Sequence, residues 1–174
     1  QRNLELIKSM RDRTEKGTLL EIIDNTVTSM GGRKLRQWIL QPLLEVDLVN
    51  TRLDAVEELK NQIHLQEELR EALNQIYDIE RLITRISLGV SNGREMLSLK
   101  VSFQMVKPVQ QSLAESQSTL LQTLNDALVE TAQVIDPLAN LIEEAIHPES
   151  PNTITEGNLI KDGWPPRSSW PVGL

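Results

Sequence analysis

The sequence predicts a mostly α fold: a multi-helix, bundle-like core with an irregular, Pro/Gly-rich C-terminal tail. Three observations predict it. Apolar residues recur three and four positions apart along nearly the whole chain, the spacing of one helix face. No pair of alternating apolar/polar runs suggests strands that would pair; at most, short extended pieces fall near Asn3–Leu6 and Thr153–Ile154. From His147 onward Pro, Ser, Gly and Asn dominate, and no helix continues through Pro165–Pro166. The expected organisation is a lead-in segment over 1–16, a helical core domain over 17–147, and a loop or disordered tail over 148–174.

Each element has its own signal. TLLEIIDNT begins with Thr18 and has Glu21 three residues later, the signature of a capping box. In TSMGGRKLRQWILQPL, Thr28 or Ser29 caps a helix, Leu35, Trp38 and Ile39 lie at helical spacing, and Pro42 stops it. VDLVNTRLDAVEELKNQ has Asp47 as its expected cap, and its Val49, Leu53 and Val56 form one stripe. Leu65, Leu69, Leu73 and Ile76 share the next face, which Ile79, Leu82, Ile83 and Ile86 continue. After SLGVSNGRE, Asn92 with Glu95 caps a helix that turns Met96, Leu99, Phe103 and Val106 inward; Pro108 ends or bends it. SLAESQSTLLQTLNDALVE starts another helix, and Pro137 suits the first turn of a last one, DPLANLIEEAI.

Composition narrows the function classes. A chain of 174 residues buries roughly two thirds of its unfolded surface, enough for a core without staples. It has no cysteine, so disulfides, thiolate zinc sites and cysteine nucleophiles are excluded. No apolar run approaches the ~20 residues of a membrane span, and QRNLELIKSMRDR lacks a signal-peptide core. A soluble, intracellular setting without membrane partners is expected: cytoplasm or nucleoid in a bacterium, nucleus in a eukaryote. The net charge of −7 is uneven: residues 1–44 hold eight Lys/Arg against five Asp/Glu, and residues 81–110 hold five against one. Residues 45–80 hold three against ten, and residues 111–160 hold none against eight. The acidic whole argues against a broadly DNA-coating domain, and 3% aromatics give no stacking platform for single strands.

No catalytic, cofactor or metal residues are nominated. Gly31–Gly32 followed by Arg33, Lys34 and Arg36 invites a phosphate-binding reading, because helix N-termini favour anions. The nucleotide loop G-x-x-x-x-G-K-[ST] does not fit: no strand precedes, and Leu35 follows Lys34 where a hydroxyl is needed. The simpler expectation is a tightly packed helix start with an ion-paired or solvated Arg33/Arg36 face. Close approach of another backbone at Gly31 or Gly32 would make Gly32→Leu cost ~1–3 kcal/mol. His64 and His147 lie far apart without a second ligand at helical spacing. Glu57–Glu58, Glu67–Glu68 and Glu143–Glu144 are adjacent pairs that point in different directions, and no Glu-x-x-His motif accompanies them.

The order of the segments is more specific. GTLLEIIDNTVTSMGGRKLRQWILQPL, with Asp24, Thr26, Thr28, Met30, Gly31, Arg33, Leu35, Arg36, Trp38, Pro42 and Leu43, resembles the start of the core domain (domain III) of MutS-type DNA mismatch-repair proteins. RNLEL before it, then RLDAVEEL, YDIERLITRISLGVSNGREMLSLKVSF and LIEEAIHPESPNTITEGNLIKDGW, follow in that family's order over about residues 2–164. The resemblance implies a structural and allosteric core that links a mismatch-reading domain to an ATPase domain, both outside this chain. The Phe-x-Glu wedge and the Walker A loop of those domains are not in it. It implies no enzyme activity in this segment, ATP and Mg only in the longer parent, and as partners mismatched double-stranded DNA through that parent, its other domains, and a second subunit. The family typically continues after Ile160–Trp164 into a long lever helix; Pro165–Pro166 and RSSWPVGL depart from that pattern. Two other readings stand beside it: a stand-alone helical module that grips partner helices, and a weak non-specific DNA-binding domain using segments 1–44 and 81–110.

Overall fold

A computed structural model of the chain describes residues 6–9, 13–151 and 157–164. Among the described residues eight helices follow one another: α1 (Leu19–Ile23), α2 (Ser29–Leu40), α3 (Val46–Asn61), α4 (Ile63–Asn74), α5 (Ile79–Ser87), α6 (Gly93–Gln104), α7 (Val106–Leu113) and α8 (Thr119–Ala145). Among the described residues there is no strand, only one isolated antiparallel bridge, Ile146 to Ile160. Of the expected extended pieces, residues 3–5 and 153–154 lie outside the described residues, as does everything after Trp164; the Leu6 carbonyl accepts from Leu20 N–H at 2.9 Å.

Two apolar clusters make the body. The first joins α5, α6 and α8 through Leu82, Leu99, Phe103, Ile135, Ala139 and Ile142. The second joins α3, α4, α7 and α8 through Ala55, Leu69, Ala72, Val109, Leu113 and Leu121. Leu128, on α8, borders both, so the longest helix is the shared wall. The expected continuous face from Leu65 to Ile86 is therefore two faces. The chain breaks at Gln75–Asp78, the α4 half enters one cluster, and the α5 half enters the other. Ile83 stays exposed.

The caps show local chemistry at work. Asn92 accepts from Glu95 N–H at 2.9 Å and Glu95 returns the bond to Asn92 N–H at 3.1 Å, the reciprocal box expected for α6. At α1 only half of the expected box forms: Thr18 accepts from Glu21 N–H, but the Glu21 carboxylate reaches Gly17 N–H instead. Glu45, not Asp47, precedes α3, without a side-chain cap bond; Asp47 sits inside the first turn, where its charge suits the helix dipole. Pro108 falls in the first turn of α7, and the chain breaks at Met105 just before it. Pro137 does not start a helix; α8 runs straight through it for 27 residues. Burial of Ile135, Ala139 and Ile142 on one side offsets the missing N–H.

The described residues after α8 are irregular and tied to the body. His147 N–H donates to Leu159 O at 2.9 Å and Lys161 N–H to Ala145 O at 2.8 Å. Ser150 is buried, and a Cβ on Gly93 would lie only 2.5 Å from Leu159 Cδ1 and closer still to the Ser150 hydroxyl. Gly93 is thus the glycine that admits a passing segment in this fold.

Candidate functional site

The stretch with the two glycines builds a polar junction. Asp24 accepts from Thr26 N–H at 3.0 Å and from its hydroxyl at 2.6 Å, curling the chain before α2. Those two bonds hold the Asp24 carboxyl below its ordinary pKa. Thr28 then caps α2 by accepting from Gly31 N–H at 2.9 Å. A Cβ on Gly31 would stand 2.9 Å from the Thr28 hydroxyl, and one on Gly32 3.3 Å from that of Thr26. The glycines make room for the side chains of their own cap loop: among the described residues the nearest atoms belong to Asp24, Thr26 and Thr28 side chains, not to another backbone as expected from sequence.

Arg33 points from this helix onto the start of α5. Its guanidinium forks onto Asp78 with two bonds of 2.8 Å, and reaches Glu80 at 2.5 and 3.1 Å. Asp78 is also the cap of α5, accepting from Arg81 N–H at 3.2 Å. The bonds from Arg33 lower the Asp78 pKa, and those to Asp78 and then Glu80 raise that of Arg33. Arg36 pairs with Glu15 at 2.7 Å. Arg52 of α3 lies 3.8 Å from the Trp38 ring centroid, and Arg70 of α4 donates to Asn25 O at 3.0 Å. Thus α2 touches α3 and α5, and the loop before it touches α4, by charge and hydrogen bonds. No residue of α2 is buried, and none belongs to either apolar cluster.

This geometry leaves no phosphate cradle. The Gly31 N–H is taken by Thr28, and both arginines are held by carboxylates of the same chain. Among the described residues no group of three His, Asp or Glu could hold a metal ion, and His64 is exposed with only Glu67 near it, at 4.0 Å. No described helix is long and apolar enough to cross a membrane.

The body has a carboxylate junction of its own. Glu58 of α3 accepts from Gln117 N–H and from Ser118 N–H, both at 2.7 Å, and so closes the start of α8. Its burial opposes ionisation, but these donors outweigh that and leave its pKa lowered. Near it, the apolar stripe of α3 faces out: Val49, Leu53 and Val56 are 36%, 57% and 60% exposed. Ala55 takes the inward place.

Residues 1–162 match the family described as MutS domain III. The chain belongs to that family. It is 43% identical over 165 residues to the DNA mismatch repair protein MutS of Ruminiclostridium cellulolyticum, covering 95% of this chain and 18% of the relative. Similar matches are the MutS proteins of Halothermothrix orenii, 41% identical over 93% of the chain, and of Methanosarcina barkeri, 42% over 94%. The chain spans less than a fifth of the length of these curated relatives. The MutS domain III elements are therefore those built above: the capped α2 with its Arg33 fork, the two-cluster body, and the strap over Gly93.

Proposed function

We propose that this MutS domain III chain is the mechanical core of a longer mismatch-repair protein, carrying a shift between a mismatch-reading part and an ATP-hydrolysing part. The observation that carries the reading is the contrast at α2: a helix with no buried residue is tied to α3 and α5, and its cap loop to α4, by charges and hydrogen bonds. Such a junction can change partners without dismantling a core, as two-state coupling requires. In this reading the segment catalyses nothing itself. ATP and Mg are handled elsewhere in the polypeptide, mismatched duplex DNA is contacted by the assembled parent, the parent works as a dimer, and its setting is intracellular. The DNA-binding alternative loses ground because Arg33, Arg36, Arg85 and Lys100 are engaged by Asp78 and Glu80, Glu15, Glu95 and Glu143 of this same chain.

The test is a chimera in which this chain replaces the matched segment of the Ruminiclostridium cellulolyticum relative. Its ATP turnover is expected to respond differently to mismatched and perfectly paired duplexes. Arg33→Glu is expected to reduce that difference by about fivefold or more, the scale of a typical coupling energy. A chimera with Arg33→Glu that responds like the unmodified one, or ATP hydrolysis by the isolated 174-residue chain, would overturn the reading.

A further inference from the structure

Helix α8 carries a second apolar stripe, which the body does not use. Its inner residues, Leu121, Leu128, Ile135, Ala139 and Ile142, enter or border the two clusters. Beside them run Leu124, Ala127, Thr131, Val134, Leu138 and Leu141, all exposed, with Leu124 at 47% and Val134 at 66%. Their spacing alternates three, four, three, four, three, the repeat by which one helix seats another along its length. Thr131 does not spoil the seam, because its hydroxyl already donates to Ala127 O at 2.7 Å. Desolvating it would strand no polar donor. The flank away from the body is acidic: Asp126, Glu130 and Glu144 are exposed there, and residues 111–160 contain no Lys or Arg.

We propose that this outer face of α8 is a helix-docking seam, and that its occupant is an amphipathic helix flanked by Lys or Arg from the remainder of the same longer polypeptide. The charge pattern selects this occupant. A second copy of α8 would set Glu130 and Glu144 against acidic residues of its own kind, whereas a basic-flanked helix meets opposite charge. More than four fifths of the relatives' length lies outside the matched segment. A helix tethered in the same chain also gains the effective concentration a separate partner lacks. The proposal rests on reading the chain as the core segment of a longer protein.

The chain has no cysteine, so a single one reports cleanly. Val134→Cys is placed in the seam and Asp136→Cys on the opposite, exposed side of α8, in the isolated chain and in the chimera described above. Maleimide labelling is followed peptide by peptide by mass spectrometry. The expected result is fast labelling at both positions in the isolated chain, and at least tenfold slower labelling at 134 alone in the chimera. Adding Glu130→Lys and Glu144→Lys should speed labelling at 134 in the chimera. Equal rates at 134 in chain and chimera overturn the proposal, and so does slow labelling at 134 in an isolated chain that light scattering shows to be a dimer. Insensitivity to the two lysine substitutions overturns the basic occupant. Turnover of the chimera is a separate readout: protection at 134 without any response to mismatched DNA would sink the functional reading and leave the seam standing.

Discussion

Helix α2 and helix α6 have the same length, 12 residues, and each begins with a polar cap; they are held in place by opposite means. Helix α6 buries Leu99 and Phe103 among α5 and α8. Helix α2 has no fully buried residue and relies on the Arg33 fork, the Arg36–Glu15 pair and the Arg52–Trp38 contact. Apolar burial is proportional to area and is not weakened by charge screening, whereas exposed ion pairs are weak and screened. The difference teaches that one chain can combine a body that behaves as a unit with an arm whose attachment can be exchanged.

The largest effects belong to the body. Phe103→Ala should cost about 3–5 kcal/mol, because it empties the centre of the first cluster. The readout is the urea midpoint followed by helical circular dichroism, and a cost under about 1 kcal/mol would mean α6 is not core. Next comes the strap over Gly93. Gly93→Ala drives a methyl into Ser150 and Leu159 and should cost about 1–3 kcal/mol. Gly32→Ala meets the Thr26 hydroxyl at 3.3 Å and Asp24 Oδ2 at 3.7 Å, and the helix preference of alanine offsets that crowding. The pair of urea midpoints therefore ranks the two glycines, and the reverse order would break the comparison.

Glu58→Ala should cost about 1–2 kcal/mol, since it strips two charge-assisted bonds from the start of α8. The pKa of Glu58 is lowered in the folded chain, so its contribution is complete above the ordinary 4.5 and is lost as pH falls through the folded value. An acid titration of stability should accordingly be shallower in Glu58→Ala than in the parent chain. The smallest effect on global stability is Arg33→Gln. Its partners are partly exposed, so the urea midpoint should barely move while α2 loosens. Asp78 behaves with the same sign as Glu58: its hold on Arg33 is present above the ordinary 3.8 and lost as pH falls through the lower folded value. Trp38 fluorescence, with Trp164 and Trp170 replaced by Phe, should report arm release in acid before the helical signal of the body falls.

The same contrast explains what the sequence could and could not announce. Caps such as Thr28 and Asn92 are readable because donor and acceptor lie three residues apart. Leu99 and Phe103 of α6 are readable because one helix decides their spacing, whereas Val106, expected on the same helix, falls on α7. The partners of Arg33 lie 45 and 47 residues away, and those of Glu58 59 and 60 away, so no local pattern reveals them. The α3 stripe misleads for a related reason. Periodicity finds an apolar face but not what covers it, and on α3 the small Ala55 is the residue that fits against the neighbouring helices. Pro137 misleads because a first-turn proline and one tolerated inside a packed helix read alike. The glycine pair was legible as a tight helix start, while the segment that needs a glycine comes at Gly93, against side chains 57 and 66 residues further on.

The most direct test of the central claim is native-state amide hydrogen exchange, resolved by helix, in low and in high salt. Exchange in residues 29–40 should accelerate with salt while α6 and the inner half of α8 keep their rates, because the arm is held by screened charges without a buried residue, whereas the ion pairs of α6 and α8 stand beside a shared apolar core. Exchange of α2 in step with α6 at every salt concentration would contradict it, and would make arm and body a single cooperative unit.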